Sequence, residues 1–121
     1  MKLLFILLLF ISKLSYASLA SEEIITHCYL STTISSAINN CLYNSYHKIR
    51  KEFDITFREL NKRIDSQQKY ITSYSILRKK LATSNKNWQR SVNADCLLEA
   101  YVYEKESYAF FSTKYGCLID R

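Results

Sequence analysis

The feature that most constrains this chain is an apolar stripe of helical period between residues 38 and 64. Its members recur every three or four residues, which places them on one face of an α-helix. They are Ile38, Leu42, Tyr46, Ile49, Phe53, Phe57, Leu60 and Ile64. The spacing predicts a long amphipathic helix from about Ile34 to about Gln67, with Ser31, Thr32 or Thr33 capping its start. A stripe of this kind is typical of a helix that packs into a core.

The chain contains no proline and a single glycine, Gly116. Turn-rich β-sandwiches and barrels depend on these residues in their turns, and Rossmann and P-loop phosphate sites need glycine at fixed positions. The composition therefore argues against all of these classes. It favours an all-α fold.

A second apolar face predicts a second helix, from about Tyr74 to about Tyr103. It consists of Leu77, Leu81, Trp88, Val92 and Cys96. The pattern loses phase before this helix, which places a turn near residues 68–74, and a short connection favours an antiparallel hairpin. We expect Trp88 to lie in the core. The final segment, Glu104 to Arg121, is predicted to form a shorter helix that folds over the open end of the hairpin.

Residues 1–20 have the pattern of a cleaved signal peptide. Lys2 gives a positive start, an apolar run follows from Leu3 to Ile11, and small residues precede possible cleavage sites after Ala17 or Ala20. The run is too short to cross a bilayer, which needs about 20 apolar residues. We therefore predict an exported protein, periplasmic or secreted, with one domain over residues 21–121 and no stable membrane insertion. A retained anchor is the alternative.

Four cysteines, Cys28, Cys41, Cys96 and Cys117, lie in the predicted mature chain, and an even number in a small exported protein predicts two disulfides. In one continuous helix residues 28 and 41 would be about 20 Å apart, so the residues before Ile34 must double back if Cys28 bonds Cys41. We favour Cys28 with Cys41 and Cys96 with Cys117, because each bond would fix one terminal segment. The rival pairing joins Cys41 to Cys96 and Cys28 to Cys117. A zinc site using His27 is a further alternative, but no Cys-x-x-Cys motif supports it.

No catalytic motif is present in the sequence, and His27 and His47, the only imidazoles, lack an obvious nucleophile nearby. We predict no enzyme activity, no cofactor and no metal. Removal of Lys2 and Lys13 with the leader leaves 15 basic and 11 acidic residues, a net charge of +4. Solvated helix surfaces explain this mild excess, and a surface for an anionic partner is the alternative.

An aromatic segment between Tyr101 and Tyr115 is the best candidate for a partner-binding surface. Aromatic side chains are enriched at protein interfaces, although about half of these are expected to pack the last segment onto the hairpin. Phe110 and Phe111 are adjacent, so one of the two is expected to be exposed. The residues singled out as candidate contacts are Tyr103, Tyr108, Phe111, Glu99 and Glu104.

The sequence also resembles a known family. The pattern Leu81-x6-Trp88-x7-Cys96, with Leu60-Asn61 upstream, Cys28-x12-Cys41 before it and Cys117 after it, is similar to that of the LprI-like lysozyme-inhibitor family of small exported bacterial proteins. The resemblance covers about residues 28–121. Asn85 and Val92 replace the family's usual Gln and Arg. The resemblance implies a disulfide-bonded helical fold and the binding and inhibition of lysozyme.

Charge bears on this expected partner. Animal-type lysozymes are strongly basic, so a chain of net charge +4 gains no long-range attraction to them, but a local acidic edge of Glu99, Glu104 and Glu106 could enter a basic cleft. We predict a protein partner and no nucleic acid. Two other roles stay open at this point: a structural protein of the cell envelope, and a secreted effector that binds a host protein or an anionic polymer through its basic face.

Overall fold

The computed structural model describes residues 20–121, which are almost entirely helical. Helix α1 covers the described residues 20–30, α2 is Ser35–Ser66, α3 is Tyr74–Ala100 and α4 is Tyr108–Asp120, with a short 3₁₀-helix, Gln68–Tyr70, between α2 and α3. The predicted all-α fold is confirmed. The predicted signal peptide lies outside the described residues except for its last position, Ala20.

The start of α2 differs from the prediction. The residue preceding the helix is Ile34, and no side chain caps the first turn. The Thr32 hydroxyl accepts a hydrogen bond from the Ile34 amide (3.1 Å), and the Ser31 hydroxyl donates to the Cys28 carbonyl (3.0 Å). The predicted capping by residues 31–33 is therefore wrong, because these hydroxyls shape the α1–α2 connection instead.

Helices α2 and α3 form the predicted antiparallel hairpin. At its closed end Asp65 pairs with Arg78 (3.0 Å) and accepts a hydrogen bond from the Tyr74 hydroxyl (2.6 Å). Farther along, the rings of Phe53 and Trp88 lie 5.3 Å apart. Helix α3 ends at Ala100, three residues before its expected end.

Helix α4 packs against both long helices at the open end of the hairpin. The Tyr115 ring contacts Tyr43 and Tyr46 of α2, with centroids 5.3 and 5.9 Å away, and Cys117 is bonded to Cys96 of α3. Helix α4 thus lies over the open end of the hairpin, as predicted for the final segment.

The disulfides are those the sequence favoured, Cys28–Cys41 (2.00 Å) and Cys96–Cys117 (2.04 Å). The first folds α1 back along the start of α2. The Ser21 hydroxyl also donates to the Asp120 carboxylate (3.0 Å), which ties α1 to the end of α4. With all four sulfurs in disulfides, no thiolate remains for the alternative zinc site.

The buried side chains all lie near these disulfides. They are Ser21, Cys28, Ile38, Leu42, Cys96, Ala100, Phe110, Ser112, Leu118 and Ile119. None of residues 43–95 is buried, although they form most of both long helices. We call residues 43–95 the arm and the other described residues, 20–42 and 96–121, the head.

The expected core positions of Leu60 and Trp88 are wrong, since these side chains are 44% and 42% exposed. Both belong to the arm. Two helices in contact shield only the seam along which they touch. Within the described residues α1 and α4 pack on the start of the arm, around Tyr46 and Ile49, and leave most of the arm uncovered. Helical periodicity therefore predicted correctly which residues share the inward face of each helix, but not how far each of them is buried.

Candidate partner-binding surface

The α1–α2 and α3–α4 connections meet at the open end of the hairpin. Residues 29–36 and 98–108 form this end, which we call the apex. Its exposed apolar side chains are Tyr29, Leu30, Ile34, Leu98, Tyr101, Val102, Tyr103 and Tyr108. More than half of the exposed large apolar side chains in the described chain therefore lie there. An exposed apolar concentration of this kind typically marks a protein-binding surface.

The apex stands on a packed base. The Ser107 hydroxyl caps α4 by accepting a hydrogen bond from the Phe110 amide (3.1 Å). The Phe110 side chain is 5% exposed and its ring lies 5.6 Å from those of both Tyr101 and Phe111. These contacts, with the nearby disulfides, fix both ends of the 101–107 connection.

Tyr108 of the apex and Tyr115 of α4 have raised pKa values. Burial raises the pKa of Tyr108, and the neighbouring Tyr29 phenol raises it further. Burial also raises the pKa of Tyr115, with additional effects of Tyr43 and Tyr46. A phenol with a raised pKa keeps its proton, and with it the ability to donate a hydrogen bond, to a higher pH than an ordinary tyrosine.

The acidic edge of the apex consists of Glu104 and Glu106, which are exposed and form no ion pair within residues 20–121. Glu99, in contrast, is paired with the Arg121 guanidinium at 2.8 Å. Glu106 adopts a left-handed backbone conformation (φ 68°), which costs a non-glycine residue about 1–2 kcal/mol. Strain of this kind concentrates at binding sites. The free carboxylates thus lie in the connection itself.

Charge is divided unequally between the two parts of the molecule. The arm contains 12 basic and 5 acidic residues, a net charge of +7, whereas the head contains 3 basic and 6 acidic residues, a net charge of −3. The overall +4 therefore conceals two regions of opposite sign. The apolar apex belongs to the acidic one.

Comparison with known families identifies the chain. The family model described as lysozyme inhibitor LprI matches residues 28–121. The chain belongs to the lysozyme inhibitor LprI family. The match extends from the first disulfide-bonded cysteine to the last residue, so it includes both disulfides and α2, α3 and α4. No curated protein and no solved structure matches the chain.

The residues that suggested the LprI family lie mainly in the arm, apart from the cysteines. The Asn61 side-chain amide donates to the Phe57 carbonyl (2.8 Å), Leu81 is partly buried and Trp88 lies over Phe53. Leu60 is on the same seam but more exposed. The structure does not bring these motif residues to the apex, and the contacts of Asn61 and Trp88 are with other residues of the arm.

The predicted contact residues divide into two groups. Tyr103 and Tyr108, 47% and 37% exposed, lie on the apex together with the exposed Glu104. Phe111 is partly buried against Phe110, so neither of the two phenylalanines is exposed as one of them was expected to be. Glu99 forms an ion pair with Arg121. Their role in binding a partner remains a prediction.

Four apex residues were not predicted from the sequence: Tyr29, Leu30, Ile34 and Leu98. The first three belong to a segment interpreted only as a lead-in to α2. One signal was available: the favoured Cys28–Cys41 pairing brings the residues between these cysteines to the open end of the hairpin. Leu98 occupies an outward position of α3 that had no distinguishing pattern.

Within residues 20–121, no helix is both long enough and apolar enough to cross a lipid bilayer.

Proposed function

We propose that this protein binds lysozyme through its apex and inhibits it without catalysing a reaction of its own. Membership of the lysozyme inhibitor LprI family supports the partner, and the exposed apolar apex on a disulfide-fixed base supports the surface. Two disulfides are typical of a protein that folds outside the reducing cytosol. The proposed place of action is therefore the periplasm or the extracellular medium.

The division of charge supports this orientation. A strongly basic lysozyme is attracted by the head, with its net charge of −3, and repelled by the arm, with its net charge of +7. The net positive charge of residues 20–121 as a whole opposes binding to a basic lysozyme. The negative charge of the head favours a complex in which the apex approaches the lysozyme first.

The chemistry of the apex suits a concave basic site. Tyr103 and Val102 offer apolar area that a cleft can cover, and the neighbouring Glu104 offers a carboxylate to Arg or Lys side chains. Inhibition follows if this connection occupies the cleft where the polysaccharide substrate would lie.

The proposal is tested by measuring bacterial cell-wall lysis by lysozyme with increasing amounts of the oxidised protein. Tyr103→Ala should weaken inhibition by about tenfold or more, because aromatic residues at the centre of an interface often contribute 2 kcal/mol. Tyr70→Ala is the matched control, since Tyr70 is a 71% exposed tyrosine at the opposite end of the hairpin. It should leave inhibition unchanged.

A charge reversal tests the orientation. Glu104→Lys on the apex and Glu52→Lys on the arm change the net charge equally, and both residues are exposed. We expect only Glu104→Lys to weaken lysozyme binding strongly at low ionic strength. Absence of binding by the unaltered oxidised protein would refute the proposed partner. Equal effects of the two reversals would refute the apex as the binding surface.

A further inference from the structure

The arm has many exposed cations that no carboxylate within the described chain neutralises. Three of its acidic residues are paired inside the arm, Asp54 with Arg50, Glu59 with Lys62 and Asp65 with Arg78, and Asp95 faces Arg121 of the head. Nine exposed basic residues of the arm form no ion pair within residues 20–121. They are Lys48, Lys51, Arg58, Arg63, Lys69, Lys79, Lys80, Lys86 and Arg90.

Five of these cations, together with the paired Lys62, form two regular rows. One row on α2 is Lys51, Arg58 and Lys62, and the row on α3 is Lys79, Lys86 and Arg90. Both rows have steps of seven and then four residues, so each lies on one helix face and is about 16 Å long. Lys62 keeps 74% of its side chain exposed despite its pairing with Glu59.

The two rows face away from each other. Phe53 and Trp88 meet in the seam between the helices, and at 100° per residue each basic row lies on the side of its helix opposite these rings. The arm therefore has two basic edges turned in opposite directions, with its largest aromatic side chains in the seam between them.

We propose that the arm binds a flexible acidic polysaccharide. A polymer whose charges repeat along a flexible chain can pass from one basic row to the other, whereas a flat bilayer or a stiff DNA duplex, with its persistence length of about 50 nm, faces one row at a time. Single-stranded nucleic acid is usually bound by successive aromatic platforms that follow basic groups, whereas Phe53 and the 42% exposed Trp88 lie against each other between the rows and form no platform along either row. Two arms of net charge +7 repel each other, which disfavours a second copy bound arm to arm.

This surface is separate from the apex and does not depend on the proposed function. A protein bound by its arm leaves the apex free. The arm would hold the chain on an anionic glycan while the apex engages a protein.

The test measures binding of the oxidised protein to immobilised heparin as the acidic polysaccharide, with dextran as the neutral one, over a range of salt concentrations. The α2 variant is Lys51→Gln, Arg58→Gln and Lys62→Gln, and the α3 variant changes Lys79, Lys86 and Arg90 to Gln. Each should weaken heparin binding by about tenfold or more at low salt and reduce the slope of log affinity against log salt by about 2, because three counterion-releasing contacts are lost. Dextran should not bind.

The matched control changes Lys105, a basic residue of the head, to Gln and should alter heparin affinity by less than about twofold. All altered positions are exposed or paired only at the surface, and circular dichroism verifies that the helices persist. The row variants should retain lysozyme inhibition.

Several outcomes would overturn the proposal. Failure of the unaltered protein to bind heparin at low salt would refute the proposal. Equal binding of the unaltered protein to heparin and to dextran would refute it as well. Unchanged heparin affinity of both row variants would exclude the rows. Tighter binding to duplex DNA than to heparin at the same salt concentration would assign the arm to nucleic acid instead.

Discussion

The structure predicts that two leucines of the same apolar stripe contribute very differently to stability. Leu42 is fully buried in the head, in a cluster with Cys28, Ile38 and Ile119. Leu60 lies on the same face of α2 but in the arm, where it is 44% exposed. Leu42→Ala and Leu60→Ala remove the same atoms from the same helix, so any difference in their effects reports the surroundings.

The expected magnitudes differ by at least about 2 kcal/mol. Leu42→Ala leaves a cavity in a packed region and should lower the free energy of unfolding by about 3–4 kcal/mol. Leu60→Ala removes three carbons, each worth about 0.8 kcal/mol of transfer free energy when fully buried. Because slightly more than half of the Leu60 side chain is buried, about half of that free energy is lost, and no closed cavity forms. Alanine's higher helix propensity offsets a few tenths of this loss, which leaves about 1 kcal/mol.

Urea unfolding with both disulfides intact measures the two free energies, provided that the slope against urea concentration is the same for each variant. A loss for Leu60→Ala equal to or larger than that for Leu42→Ala would show that the arm has a packed core of its own. That result would refute our conclusion that stability is concentrated in the head.

Three further predictions concern the head. Replacing Cys96 and Cys117 by Ala should lower the free energy of unfolding by about 3 kcal/mol, because the bond closes a loop with a sequence separation of 21. Ser107→Ala should lower it by about 1 kcal/mol, because the cap on the Phe110 amide is lost. The pKa of Tyr115 is higher in the folded protein than in the unfolded chain, so as pH rises the unfolded phenol ionises at a lower pH than the folded one. The contribution of Tyr115 to stability is therefore fully present below about pH 10 and is lost as pH rises above it. Tyr115→Phe should reduce this loss of stability at high pH.

Urea unfolding measures the first two effects, and thermal melts across alkaline pH measure the third. A loss below about 1 kcal/mol for the cysteine pair would contradict the chain-entropy argument. An unchanged free energy of unfolding in Ser107→Ala would show that the cap does not stabilise the fold. A fall in stability at high pH that is the same in Tyr115→Phe would assign it to other groups.

Much of the local structure followed from the sequence alone. The 3.6-residue periodicity located α2 within a residue or two at both ends and placed the turn before Tyr74 correctly. The end of α3 was less predictable, because apolar residues such as Val102 continue beyond the helix into the apex. The favoured cysteine pairing was also confirmed, since chain connectivity leaves few ways to fix both terminal segments.

The candidate surface was only partly predictable. Tyr103, Tyr108 and Glu104 were identified because they are close together in the sequence, whereas Tyr29 and Leu30 reach the apex through a disulfide and the return of α1. The pairing of Glu99 with Arg121 joins residues that are 22 positions apart. Such contacts depend on how helices pack, and local periodicity contains no information about them.

The helices, their apolar faces, the cysteine content and the family pattern follow from local sequence, because each depends on residues that are near neighbours along the chain. The tertiary structure decided which part of each apolar face is buried, since burial requires a third helix and α4 reaches only the open end of the hairpin. It also decided how charge is distributed in space. The net charge of +4 over residues 20–121 is a property of composition, but an acidic head and a basic arm arise because α1 and α4 fold back at the open end of the hairpin.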